Sequence, residues 1–139
     1  MSQQFKKEEK IRFQHCDFAG IVFYPRYFVM INDLVEDWFD EALNYSFNDM
    51  HPLRGVPTVN INIDFKLPAR LGDVITKSLR VLKLGERSIT IGIEFSLNNE
   101  IILQGTATLV HTQIDAETKQ LKSFPWSPEL KEKILMFKD

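Results

Sequence analysis

An α+β domain, with a mostly antiparallel sheet of about five strands wrapped around one long central helix, is the architecture this sequence predicts. Three observations carry it. Apolar residues recur at helical spacing over one long stretch after Pro25. Four runs of extended, alternating character then follow one another from Val59 onward. Short turns join the later runs with no helix between them, which excludes a repeating strand-helix-strand order. At 139 residues the chain is long enough for one hydrophobic core and short for two, so residues 1–139 are expected to form a single domain.

In residues 5–14, Ile11 and Phe13 fall at alternate positions among charged neighbours, which predicts a first strand with that face turned inward. Residues 15–25 then follow neither the helical nor the strand period. They read as a turn with a carboxylate at Asp17, a permissive Gly20, an apolar patch at Ile21, Val22 and Phe23, and Pro25 at the favoured first position of a helix. In the helix Tyr27, Phe28, Ile31, Leu34, Val35, Trp38, Phe39, Ala42 and Leu43 form one wide stripe, opposite Asn32, Asp33, Glu36, Asp37, Asp40 and Glu41.

Residues 44–57 carry the Asn, Ser, Asp, Gly and Pro content of a long loop, of the kind that often borders a site. Val59, Ile61, Ile63 and Phe65 alternate with polar residues and predict a half-buried strand. Pro68 and Leu71-Gly72-Asp73 interrupt it before a further strand over residues 74–82. Gly85-Glu86-Arg87 marks a turn, Ile89 to Leu97 alternate again, and Asn98-Asn99-Glu100 is a hairpin signal because Asn tolerates positive φ. Residues 101–112 form the last long strand. Ser127 and Pro128 then cap and open a short helix with Leu130, Ile134 and Phe137 on one face. One sheet around one helix leaves its edges bare, so edge-to-edge association of two copies is expected.

Apolar residues make up 44% and charged residues 26%, ordinary for a globular chain, and the net charge of −2 disfavours nucleic acid as the main partner. The single Cys16 allows no internal disulfide and suits a reducing compartment. No window approaches the ~18 apolar residues of a membrane span, so no membrane association and a cytoplasmic location are expected. His51 and His111 lack the acidic or His neighbours of a metal site, and no metal or cofactor is expected.

Asp17 has a physical case as a reactive group, because its turn feeds a helix start. There the unsatisfied N–H groups and the positive end of the helix dipole can polarise a carbonyl oxygen beside Tyr24. A turn-stabilising carboxylate is the alternative that this residue type also allows. In an extended run, His15 and Asp17 would share a face and Cys16 would point away, as a small buried residue.

The run His15-Cys16-Asp17-Phe18-Ala19-Gly20-Ile21-Val22-Phe23-Tyr24-Pro25-Arg26-Tyr27 resembles the active-site signature of the 4-hydroxybenzoyl-CoA thioesterase branch of hotdog-fold enzymes. Phe65-Lys66-Leu67-Pro68-Ala69-Arg70-Leu71-Gly72-Asp73 is similar to the strand-to-bend segment of related short-chain acyl-CoA thioesterases, and the likeness covers most of residues 5–110. It implies a hotdog fold and hydrolysis of an acyl-CoA thioester to a free acid and CoA. Asp17 would attack the carbonyl or activate a water, and the Tyr24 N–H would belong to the oxyanion site. His15, Gly20, Ile21, Val22 and Phe23 are then candidate substrate contacts. Arg87 with Ser88 is the candidate for the CoA phosphates, with Lys66, Arg70 and Lys83 as alternatives.

The resemblance also implies a homodimer with one continuous sheet, or a homotetramer, and acyl pockets at subunit interfaces. His15 departs from the family, where an acidic or polar residue is usual. Two other classes use this fold. A hydratase or dehydratase would pair its carboxylate with a His, and the helix has none. A non-catalytic acyl-thioester-binding or scaffold protein would lack the carboxylate, and Asp17 is present.

Overall fold

The computed structural model describes residues 3–139. The chain runs β1 (Phe5–Lys10), a 3₁₀ turn (Phe13–His15), α1 (Pro25–Asp37) continued by a π turn (Trp38–Ala42), and α2 (Phe47–Met50). The strands β2 (Arg54–Gly55), β3 (Thr58–Phe65), β4 (Val74–Leu84), β5 (Ser88–Leu97), β6 (Glu100–Val110), β7 (Thr112–Ile114) and β8 (Leu121–Ser123) follow, and α3 (Pro128–Leu135) comes last. All pairings in the main five-stranded sheet are antiparallel, in the order β1-β4-β5-β6-β3. This is the hotdog fold.

Its centre is the apolar stripe of α1. Tyr27, Met30, Ile31, Leu34 and Val35 are buried, as are Trp38 and Phe39 of the π turn, and they cluster with Ile75, Leu79 and Val81 of β4, Ile89, Ile91, Ile93 and Phe95 of β5, and Leu103, Ala107 and Leu109 of β6. Each such aliphatic or Phe side chain contributes about 1.5–3 kcal/mol by leaving water. The hairpin of Asn98 and Asn99 has both residues at positive φ, 52° and 65°, which is the backbone a two-residue turn between twisted strands requires. Ser127 caps α3 through Oγ, which accepts the Leu130 N–H at 3.1 Å, and Leu130, Ile134 and Phe137 are buried as their spacing predicts.

Three expectations are corrected. The first strand stops at Lys10: Ile11 is buried, but Phe13 lies in the 3₁₀ turn and is 83% exposed, because the chain bends there to form the next segment. The strand at residues 58–65 exists but is not half-buried. It does not pair with β4, the next strand in sequence; it crosses to the far side of β6 and becomes an open edge, with Val59, Ile61 and Phe65 all exposed. A Cβ at Gly105 would run into the Asn62 carbonyl, so this glycine lets β3 lie close against β6. The segment expected as one loop over residues 44–57 contains α2 and β2, and β2 joins β7 and β8 in a small second sheet.

Candidate active site

The irregular segment after β1 folds into a narrow hairpin. Phe23 N–H donates to the His15 carbonyl at 2.9 Å, Cys16 and Val22 form an antiparallel bridge, and Asp17 N–H donates to the Ile21 carbonyl at 3.0 Å. Gly20 closes the tip at φ 79°, and its N–H returns to the Asp17 carbonyl at 3.0 Å. The second leg is tied to the bend after β3, since Val22 N–H donates to Ala69 and Leu71 N–H to Gly20, each at 3.0 Å. Val22 therefore anchors the hairpin in the core, while Phe23 stays exposed.

Asp17 is exposed. Its Oδ1 accepts the Ala19 N–H at 2.9 Å, so one oxygen does stabilise the turn, and Oδ2 has no partner among the described residues. At the end of the second leg Tyr24 opens α1, with Pro25 in the first position. The next two N–H groups are already committed, Arg26 to the Phe23 carbonyl at 2.8 Å and Tyr27 to the Tyr24 carbonyl at 3.1 Å. The Tyr24 N–H has no acceptor among the described residues, so the open helix terminus narrows to one donor.

Around it lies an aromatic cluster whose central member, Phe65, sequence reasoning missed. Phe65, at the end of β3, meets Tyr24, Tyr27 and Phe28 at centroid distances of 6.0, 5.8 and 6.2 Å. Burial pushes the Tyr27 phenol up, against the opposing pull of the Ala69 backbone. Phe28 also lines an apolar cavity of about 560 Å³ between α1 and the open edge of the sheet, with Ile31, Val35, Ile61 and Leu109. Phe47 of α2, His51 just after it and Arg54 of β2 also line it.

His15 is not on the face of Asp17. It ends the 3₁₀ turn, is 8% exposed, and its Nδ1 accepts the Arg12 N–H at 2.8 Å. Its Nε2 lies 3.6 Å from Glu9, which holds Lys77 at 2.7 Å, and Lys77 also donates to the Met30 carbonyl of α1 at 3.3 Å. Burial pushes the nearby Asp33 carboxyl up, with Lys77 opposing it. Cys16 is half-buried.

Arg87 and Ser88 stand at the opposite end of the sheet from this cluster. Ser88 pairs with Val110, whereas Phe95, beside Tyr27, pairs with Leu103; seven residues of strand separate the two levels, roughly 23 Å at about 3.3 Å per residue. Arg87 donates to Ser123 there, at 2.9 Å to its carbonyl. Of the basic residues named from the sequence, Arg70 is bridged to Ile21 and Lys66 follows Phe65, so these two lie at the hairpin. His111 is a buried structural residue, its ring between Tyr45 Oη at 2.8 Å and the Phe124 carbonyl at 2.9 Å. No group of three or more His, Cys, Asp or Glu among the described residues is arranged for a metal, and no described helix is long and apolar enough to cross a membrane.

A hotdog domain with a carboxylate hairpin leading into its central helix defines a thioesterase-like class of protein, and the sequence comparison agrees. Residues 11–134 match the thioesterase-like superfamily, and the chain belongs to that family. It is 26% identical to 1,4-dihydroxy-2-naphthoyl-CoA hydrolase of Nostoc punctiforme over 123 residues, 87% of this chain and 81% of that one. It is also 26% identical to the long-chain acyl-CoA thioesterase FadM of Escherichia coli K12 over 125 residues, covering 90% and 92%. The dynemicin thioesterase structure superposes with a TM-score of 0.89 at 13% identity over 99% of both chains, which is a likeness of fold.

Proposed function

We propose that the chain is an acyl-CoA thioesterase that hydrolyses a thioester to a free acid and CoA, with Asp17 as the catalytic carboxylate and the Tyr24 N–H as oxyanion donor. The observation that carries this reading is the pairing, on the two legs of one laddered hairpin, of a carboxylate oxygen and a helix-initial N–H that have no partner among the described residues. The names of the relatives, an aromatic acyl-CoA hydrolase and a long-chain acyl-CoA thioesterase, support the same chemistry and share CoA as the thiol.

In this reading the thioester carbonyl sits with its oxygen on the Tyr24 N–H and its carbon about 3–3.5 Å from Asp17. If Oδ2 attacks, the C–S bond breaks, CoA leaves as a thiolate that takes up a proton, and water opens the mixed anhydride to release the acid. If Oδ2 takes a proton from a bound water, that water adds to the carbonyl and the C–S bond breaks in the same sense. The Phe65 cluster leads from the hairpin to the apolar cavity along α1, which suits the acyl group.

The open β3 edge and the half-roofed cavity beside it support a homodimer formed by antiparallel pairing of β3 with a second copy. Such pairing reverses the strand direction, so it would carry the Arg87 end of one copy toward the hairpin end of the other. This is how Arg87 and Ser88 could still reach the CoA phosphates. Arg70 and Lys66 are the basic residues near the hairpin within one copy.

The test follows free thiol release from a panel of aromatic and aliphatic acyl-CoAs. Asp17→Asn is expected to keep its fold and its CoA affinity while kcat falls at least about 100-fold. Unchanged turnover in Asp17→Asn would sink the assignment.

A further inference from the structure

His15 is a residue that neither leg of the proposed chemistry touches, yet it joins them. Its backbone and side chain close a reciprocal pair with Arg12: His15 N–H donates to the Arg12 carbonyl at 2.9 Å, and Arg12 N–H donates to Nδ1 at 2.8 Å. An imidazole nitrogen that accepts an N–H carries no proton, so the ring proton sits on Nε2, which lies 3.6 Å from Glu9. The peptide of residue 15 is tied to Arg12 from both its backbone and its ring, by the His15 N–H bond to the Arg12 carbonyl and the bond at Nδ1. Its carbonyl then anchors Phe23, the residue before Tyr24, and its chain leads through Cys16 to Asp17.

The ring is also braced from behind. Glu9 of β1 faces Nε2, Lys77 of β4 is 3% exposed and grips both Glu9 and the Met30 carbonyl, and Asp33 and Arg26 of α1 border the same small cavity beside His15. The brace thus runs from the hairpin through two strands of the sheet to the second turn of the helix that Tyr24 caps. Hydrogen-bonded connections of this kind hold reactive groups in place when the groups themselves sit on an exposed turn.

We infer that His15 is a positioning residue for the proposed hydrolysis: by accepting the Arg12 N–H at Nδ1 it fixes the peptide from which both the Asp17 carboxylate and the Tyr24 N–H take their places. The inference rests on the thioesterase reading. A displacement of about 1 Å between such groups can cost about 100-fold in rate without loss of binding, so the effect belongs to kcat and leaves KM nearly unchanged.

Three variants test it in the same thiol-release assay, with benzoyl-CoA and lauroyl-CoA as probes and Asp17→Asn as the reference. His15→Asn places an amide oxygen near the position of Nδ1 and keeps the acceptor for Arg12. His15→Gln carries the same group one methylene farther, toward Glu9, and leaves the Arg12 N–H without it. His15→Ala removes both.

The expected result is that kcat falls about 100-fold in His15→Ala and His15→Gln with KM unchanged, while His15→Asn recovers most of the loss. Equal kcat in the Asn and Gln variants overturns the inference even if His15→Ala does not fold, because the position of the acceptor then does not matter. Wild-type kcat in His15→Ala overturns it directly. If Asp17→Asn itself turns over normally, the thioesterase reading fails first and the role of His15 falls with it.

Discussion

The two ends of the sheet are finished in opposite ways. At the end where Ser88 meets Val110, β7, β8 and α3 close over the core, and His111, Trp126 and Arg87 find partners there. His111 stacks on Trp126 at 4.5 Å and bonds at both nitrogens, Trp126 Nε1 donates to the Ser88 carbonyl at 3.3 Å, and Arg87 donates to Ser123. At the other end the hairpin is anchored in the core by Val22 but carries Phe18 fully exposed at its tip, a carboxylate oxygen and a backbone N–H have no partner among the described residues, and Phe23, Tyr24 and Phe65 remain exposed. Within one copy, the closed end chiefly stabilises. An unsaturated end, held rigid by ladders and by the His15 brace, has groups left over for a ligand.

If that division holds, damage at the closed end costs stability and damage at the open end costs turnover. The largest effect is expected from Trp126→Ala. Trp126 is buried, stacks on His111 and packs 6.3 Å from the Phe39 ring, and removing so large a side chain costs about 3–5 kcal/mol in unfolding free energy, read by chemical denaturation. The molecules that stay folded should keep their kcat. A fall in kcat comparable with that of Asp17→Asn would show that the ends are coupled.

Asp17→Asn is the converse. Its rate loss of about 100-fold corresponds to about 2.7 kcal/mol of transition-state stabilisation, whereas its unfolding free energy should stay within about 0.5 kcal/mol of wild type, because the side chain is exposed and Asn keeps an oxygen for the Ala19 N–H. Smaller still, Ser127→Ala removes the cap of α3 and should cost about 1 kcal/mol in the same denaturation experiment, with turnover untouched.

The same division marks what could be read from the sequence. The α1 stripe, the alternation of β5, the Asn98-Asn99 turn and the Ser127-Pro128 helix start are local patterns, and each folds as its own residues dictate. The hairpin was legible as a motif, because a carboxylate, a glycine at positive φ and a proline at the helix start lie within nine residues of each other. What pairs across distance was not. Phe65 reaches Tyr24 only because β3 crosses to the outer side of β6, and nothing in its alternation distinguishes an edge strand from a half-buried one.

Glu9 and Lys77 are 68 positions apart and meet because β1 pairs with β4. Phe13 misled for a specific reason. Its spacing from Ile11 mimics a strand, but the His15 ring captures the Arg12 N–H and turns the chain into a 3₁₀ bend instead. Arg87 lies at the far end of β5 from the hairpin within one copy, a separation that only the strand pairing reveals.

The smallest expected effect isolates the closed end by pH alone. The Phe124 carbonyl can only accept, so His111 Nδ1 carries the proton and Nε2 accepts from the Tyr45 hydroxyl. Burial pushes the His111 pKa down; the Phe124 and Pro125 carbonyls oppose this, and the Arg54 charge adds to it. The folded pKa therefore lies below that of the unfolded chain, near 6.5. Between the two values the unfolded chain binds the proton and the folded one does not, so stability is full above about pH 6.5 and is lost as pH falls through that value toward the folded pKa. Thermal melts from about pH 8 to about pH 5 should show this loss in the wild type and not in His111→Gln, whatever the variant's own stability at neutral pH. Equal acid sensitivity in both would move the titrating group elsewhere. An acid limb of turnover that followed the His111 substitution would mean that the closed end, for all its satisfied bonds, takes part in the chemistry of the open one.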